Sequence, residues 1–331
     1  MVSNKLNVYA CGGAGTNVAS QLLKYQGKKE HGFCEFDMCF IDTSASNFTS
    51  EIPKDQTYLV DGLDGSGKKR DSNYVAIAER AKEIMQKFKP ADINIVIHSA
   101  SGGSGSVIGP ILAGELSKKS PTVIIIIGSS DSRIETDNTI KTLRSYEVIS
   151  RKKEYPIAAM YYENSKEIPR SMVDSYVKID ISLLSMLYSG DNSEMDTADL
   201  DNFINYNKVT TYSPALCNLG FFTKEITLGK DQYVASVATL GDTADDVSLN
   251  IPVEYQAVGY VRSSVAKESL KLEGESKLPL HVAMIIGFFN PIVERLEEKL
   301  KVFDEHRSAV IQKQIVNQSH EDKATDEGLL F

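Results

Sequence analysis

Ala100-Ser101-Gly102-Gly103-Ser104-Gly105-Ser106-Val107 follows a strand-like run, Ile93 to Ile97, and precedes a helix-like one, Ile108 to Leu116. Glycines let such a backbone curl so that several N–H groups point inward. The serine hydroxyls add donors, and the next helix presents the positive end of its dipole. The segment therefore reads as an anion cradle in which Ser101, Gly102, Gly103, Ser104, Gly105 and Ser106 grip a phosphate. A flexible strand-to-helix turn is the plain alternative, but three glycines and three serines in six positions exceed what a turn needs.

A second cluster, Cys11-Gly12-Gly13-Ala14-Gly15-Thr16-Asn17-Val18, follows the alternating strand Leu6 to Ala10 and opens a helix through Val18, Leu22 and Leu23. Alone it resembles a dinucleotide-binding fingerprint without its third glycine. Asp42, at the end of the next strand, would then be the ribose-binding acid of an NAD-dependent oxidoreductase. That reading gives the loop at 101–106 no role, whereas two cradles suit one ligand with a phosphate tail. The third informative stretch is Glu194-Met195-Asp196-Thr197-Ala198-Asp199-Leu200-Asp201, after a helix-compatible run from Ile168 to Tyr188. Spaced i, i+3, Asp196 and Asp199 share one face of a first helical turn, with Asp196 able to cap it and Asp199 left free. Acidic capping without chemistry is the simpler reading of the same pattern.

Taken in order and spacing, three features resemble the tubulin/FtsZ superfamily. They are the first loop ending in Gly15-Thr16-Asn17, the box Gly102-Gly103-Ser104-Gly105-Ser106 after the fourth strand, and Asp196-Thr197-Ala198-Asp199-Leu200 after a long helix. Thr139-Ile140-Lys141-Thr142-Leu143 and the acidic-then-apolar C-terminus resemble its bacteriophage branch. The resemblance implies a GTPase that assembles head to tail into filaments, with GTP and Mg2+ held by one subunit and hydrolysed when the next docks. Glycine loops orient phosphates but carry no group that activates water. The family pattern supplies that group in trans, Asp199 polarising the attacking water and Asp196 supporting it.

The same match places Gly12, Gly13, Ala14, Gly15 and Thr16 at the α- and β-phosphates and Asn17 on the nucleotide from the first helical turn. It places Gly65, Ser66 and Gly67 in a loop that senses the γ-phosphate, where Lys68-Lys69-Arg70 either neutralises phosphate charge or forms a solvated surface. Glu135 and Asp137 fall at the ribose and Asn164 at purine and sugar edges. Asp174 stands where the family carries a base-reading Asn; a carboxylate there still accepts from guanine. Other departures are Ala100 and Ser101 in place of glycines, Ser104 in place of threonine, and Glu194 in place of an Asn.

The 331 residues carry a formal charge of −9 and no basic stripe interleaved with aromatics, which argues against general nucleic-acid binding. Four cysteines without metal or disulfide spacing suit a reducing cytoplasm, and no metal ligands stand out. Met1 to Lys5 is polar, and apolar runs such as Val123 to Ile127 are far below membrane-span length, so neither a leader nor a membrane partner is expected.

Alternating strand and helix signals predict an α/β fold: a doubly wound, mostly parallel sheet (Rossmann-like GTPase domain) over 1–167 and a central helix over 168–190. A smaller mixed α/β domain carrying the acidic loop is expected over 191–290, a C-terminal helix over 291–318 and an acidic tail over 319–331. Acidic residues followed by Leu329-Leu330-Phe331 suit a tail that docks on a neighbouring subunit, a solubilising tail being the alternative. The expected partner is thus the chain itself, in filaments that position phage DNA or particles in a bacterial host's cytoplasm. An NAD-dependent enzyme and a non-polymerising GTP switch are the rival readings.

Overall fold

The structure, a computed structural model, describes residues 4–27, 32–63, 67, 70, 73–222, 232–241, 253–269, 271–272, 275–276 and 278–327. Of these, 271–272, 275–276 and 313–327 are described as backbone alone. Apolar alternation sets the first half. It contains β1 (Lys5–Cys11), α1 (Gly12–Ser20), β2 (Glu35–Asp42), β3 (Thr57–Leu59), α2 (Tyr74–Lys87), β4 (Ile93–Ser99), α3 (Gly105–Leu116), β5 (Thr122–Ser129), α4 (Arg133–Lys153) and β6 (Ile157–Asn164). The strands lie parallel in the order β3-β2-β1-β4-β5-β6, so the direction of winding reverses between β1 and β4. In doubly wound sheets, ligands bind in the crevice outside the carboxyl ends of the strands at such a reversal.

Alternate residues of β1 feed two cores. Leu6, Val8 and Ala10 pack with Val18 of α1 on one face; Tyr9 and Cys11 join Ile77 of α2, Leu112 of α3 and Leu143 of α4 on the other. The second half contains α5 (Arg170–Leu187), β7 (Asn192–Ser193), α6 (Thr197–Ile204), β8 (Leu216–Phe222), β9 (Gln232–Leu240), β10 (Tyr255–Val261) and α7 (Ser264–Ser269). Then come β11 (Lys271–Leu272), β12 (Glu275–Ser276), β13 (Leu280–Ile286) and α8 (Phe289–Glu327). β8 pairs in parallel with β6, Ile157 facing Leu216, and the sheet continues β8-β13-β9-β10-β7. The smaller mixed half therefore extends the same sheet. α5 joins the halves: its Val177, Ile181 and Leu184 share one core with Val8 of the first and with Phe203 and Val237 of the second.

One boundary moves. α8 runs to Glu327, past the expected helix end at 318, so the first part of the expected tail is helical backbone. Leu329, Leu330 and Phe331 lie outside the described residues.

Candidate nucleotide site

At the β1/β4 reversal the two glycine clusters meet. Gly12 has φ +72°, and a Cβ there would stand 2.7 Å from the Gly105 nitrogen; a Cβ on Gly105 would stand 2.7 Å from the Cys11 carbonyl oxygen. Helices α1 and α3 both begin here with neither a side-chain cap nor an acidic residue in the first turn. Their first N–H groups and positive dipole ends thus face one crevice of about 730 Å³, the arrangement that receives an anion. Gly12, Gly13, Ala14 and Asn17 line it from α1, and Ser101, Gly102, Gly103, Ser104 and Gly105 from the loop after β4.

Gly15, Thr16 and Ser106 do not line the crevice but support it. A Cβ on Gly15 would meet the Ile97 carbonyl oxygen at 2.3 Å, so glycine is required for helix and strand to approach. Thr16 is buried with its hydroxyl unpartnered. The Ser106 hydroxyl donates to the Gly103 carbonyl at 3.3 Å and shapes the turn rather than reaching a ligand.

α4 holds the loop after β4 from behind, a role not legible as such in the sequence. The Asn138 side-chain amide donates to the Ser101 carbonyl at 3.0 Å, and the Thr142 hydroxyl to the Ala100 carbonyl at 3.0 Å. Arg70 donates to the Asn138 carbonyl and to the Thr142 and Ser145 hydroxyls, so this cation braces α4. The phosphate-neutralising role considered for Arg70 is corrected accordingly. Gly67 lines the crevice, whereas Gly65, Ser66, Lys68 and Lys69 lie outside the described residues.

The last residues of β4 are anchored by His98. Its Nδ1–H donates to the Ser99 carbonyl at 3.1 Å, leaving Nε2 to accept from the Tyr146 hydroxyl at 2.6 Å. Complete burial pushes its pKa down to about 4. Between pH 6.5 and 4 the unfolded chain then binds a proton that the folded one refuses. This contribution is complete above pH 6.5 and is lost as pH falls through the window, by about 3 kcal/mol at most. Urea midpoints should drop between pH 7 and pH 4.5 in the wild type and drop less in His98→Gln; parallel losses would assign the effect to other groups.

At the other end of the crevice, Asn164 closes β6 and forms part of the lining, its Oδ1 buried and unpartnered. Asp174, on α5, accepts from the side-chain amides of Asn17 at 2.8 Å and Gln21 at 3.2 Å, both through Oδ2. Glu135 lies at the rim, its carboxylate accepting from the Ser132 and Ser129 hydroxyls. Asp137 is one residue out of phase: it points away from the crevice and pairs with Lys141 at 2.9 Å, which corrects its placement at the ribose. Sequence reading also passed over Arg170, in the first turn of α5, the one Lys or Arg among the described residues that line the crevice.

Asp42 is buried, and its carboxylate accepts from the Thr43 and Ser44 N–H groups and from the Asn47 amide at 2.6 Å. It is therefore committed to its own loop, unlike the free acid that a ribose of NAD requires.

Asp196 and Asp199 lie at the other end of the molecule. α5 begins at the crevice and spans about 27 Å for its 18 residues. At its far end the Cys34 N–H donates to the Ser185 carbonyl and the Asn4 amide to the Tyr188 carbonyl, beside the starts of β2 and β1. α6 follows there. Asp196 caps it through the Ala198 and Asp199 N–H groups, and Asp199 returns a bond from the Asp196 N–H at 3.0 Å, a full capping box. The Tyr255 hydroxyl, at the start of β10, donates to the other oxygen of Asp199 at 3.0 Å. Just before the box, Glu194 has φ +65°, a left-handed conformation that Asn tolerates better than Glu.

Comparison with known proteins agrees with this geometry. Residues 5–166 match the GTPase domain of the tubulin/FtsZ family. The phage tubulin-like protein of Pseudomonas phage phiKZ is 31% identical over 217 residues, 62% of this chain and 64% of that protein, just under two thirds of its length. That of Pseudomonas phage PhiPA3 is 28% identical over 251 residues, 75% and 76% of the two chains. Among solved structures, a protofilament of TubZ from bacteriophage PhiKZ superposes with a TM-score of 0.79 at 26% identity, covering 92% of both chains.

Proposed function

We propose that the chain, whose residues 5–166 match the GTPase domain of the tubulin/FtsZ family, is a member of that family that binds GTP in the crevice, polymerises head to tail and hydrolyses GTP at each subunit interface. The observation that carries this reading is the separation of cradle and carboxylates. Two uncapped helix starts receive the phosphates at one end, and Asp196 and Asp199 sit one α5 length away at the other. No cleft is completed by its own Asp199, so stacking a second subunit supplies what the first lacks. TubZ from bacteriophage PhiKZ has been solved as a protofilament, which supports the same stacking here.

In this reading Gly12 to Ala14 and Gly102 to Gly105 hold the phosphate tail. The Asn164 amide accepts from or donates to guanine and ribose edges, and the free Oδ1 of Asp174 accepts from them. A magnesium ion fits the donors present. Beside the cradle the Ser104 hydroxyl, 2.6 Å from that of Thr43, is a hard oxygen donor and suits an ion that takes most of its coordination from phosphate and water, the Asp42 carboxylate being held by its own loop. It would neutralise charge on the phosphates. Among the described residues no group of three or more His, Cys, Asp or Glu forms a protein cage, and no helix is long and apolar enough to cross a membrane.

The acidic tail of one subunit docks on its neighbour. A groove of about 710 Å³ between α2, α3 and α4 is lined by the apolar Ala81, Val107, Ile111 and Val148 and by Glu115, Lys141, Arg144 and Lys153, of which Lys141 also pairs with Asp137 and Arg144 with Glu297. Its cations and apolar lining complement the acidic residues and terminal Leu329-Leu330-Phe331. Removing 322–331 should raise the concentration needed for assembly several-fold; an unchanged light-scattering threshold would leave the tail a solubilising extension. The filaments act in a bacterial host's cytoplasm to position phage DNA or particles.

Phosphate release against protein concentration tests the whole reading. Specific activity that climbs above a threshold, with protein pelleting at the same threshold, is the expected result. Activity independent of concentration would indicate a non-polymerising switch, and binding of NADH without GTP would indicate an oxidoreductase.

A further inference from the structure

The C-terminal helix reaches the back of the nucleoside half of the crevice. Along β6 side chains alternate: Tyr162 faces α5, where it stacks on Tyr176, and Asn164 follows it into the crevice, whereas Tyr161 and Glu163 face α8. Glu163 is the meeting point of three groups. Its carboxylate accepts from the Ser130 hydroxyl at 2.6 Å, from the Tyr161 hydroxyl at 3.1 Å, and from both terminal nitrogens of Arg295 on α8. One turn on, Lys299 donates to the same Ser130 hydroxyl at 2.9 Å. Ser130 is buried and adjoins Ser129, which lines the crevice with Glu135. The two rims of the nucleoside half, the end of β6 and the loop after β5, are thus tied together from behind by one face of α8.

We infer that Arg295 and Lys299 of the C-terminal helix are positioning residues for nucleotide binding, holding Asn164 and Ser129 in place through Glu163 and Ser130. A bidentate guanidinium–carboxylate pair fixes direction as well as distance, which a lone lysine does not. Asn164 needs that fixing, because it is the last residue of β6 before the chain leaves for α5, and Glu163 is its neighbour within the strand. The inference rests on GTP occupying this crevice. It makes α8, outside the matched GTPase domain, a part of the nucleotide site.

Calorimetric titration of the nucleotide-free full chain with GDP and with GMP tests it, with thermal melts run alongside. Arg295→Gln and Glu163→Gln should each weaken both nucleotides five- to tenfold. The double variant should be no weaker than either single, because the two act as one unit. Arg295→Lys should recover part of the loss. The loss should be equal for GDP and GMP, since the clamp acts on the nucleoside end. Variants that melt earlier yet bind within twofold of wild type would overturn the inference and leave the reading of the crevice intact. A wild type that binds neither nucleotide would overturn both.

Discussion

Asp199→Asn is expected to cut GTP turnover 100- to 1,000-fold while filaments still form and pellet. General-base assistance is worth about 10² to 10⁴ in rate, and in the proposed mechanism the carboxylate that gives it, Asp199, is displaced from the phosphate cradle by the length of α5. The choice of variant follows from the capping box. Asp199 accepts the Asp196 N–H and the Tyr255 hydroxyl, so Asp199→Ala would also loosen the start of α6, at about 1 kcal/mol. Asn keeps an acceptor oxygen for the Asp196 N–H and removes the charge that would draw a proton from water. Asp196→Asn, at the cap itself, should lose less activity, because its Oδ1 already serves two N–H groups. The measurement is steady-state phosphate release normalised to pelleted polymer. Equal activity of Asp199→Asn and wild type per unit polymer would reduce the acidic pair to plain capping, which is all that an isolated subunit asks of it.

Capping and catalysis were both open from the sequence, because a pair of acids at i, i+3 looks the same for either purpose. The parallel sheet and the two cradles were legible for a different reason: strand alternation and glycine clusters are local, and their spacing along the chain is the fold's own order. What stayed hidden depends on helical phase and on contacts distant in sequence. Asp137 and Asn138 are neighbours, but Asn138 and Thr142 form the inward row of α4 that grips the phosphate loop, while Asp137 and Lys141 form the outward row. Buried polar residues four apart, Asn138 and Thr142, were the signal that would have found the inward row. Arg70 was read as part of a basic run when its partners lie about seventy residues on, in α4. The expected helix end at 318 follows the last apolar residue at helical spacing, Val316, yet Lys, Glu and Ala beyond it are good helix formers and the backbone continues helical to Glu327.

Gly105→Ala should abolish nucleotide binding at concentrations where the wild type is saturated, a loss of at least 100-fold, while leaving the chain folded. An added Cβ would stand 2.7 Å from the Cys11 carbonyl oxygen and 3.3 Å from the Ser99 nitrogen, so backbone must move, and the backbone that moves is the two cradles themselves. Gly102 is the matched control: a Cβ there would meet only the Ser99 side chain, at 3.6 Å or more, which is ordinary contact, so Gly102→Ala should bind GTP far better. Equal binding by both variants would mean that the loop reaches the ligand by some part other than its junction with β1. The pair also supplies the decisive test of catalysis between subunits. Gly105→Ala has an intact Asp199 and a closed cradle; Asp199→Asn has an intact cradle and no base. If each cleft is completed by the subunit above it, mixing the two inactive proteins must restore phosphate release at every interface where an Asp199→Asn cleft receives a Gly105→Ala partner. If each cleft is served by its own chain, no mixture of the two gains anything, because no chain in it holds both halves.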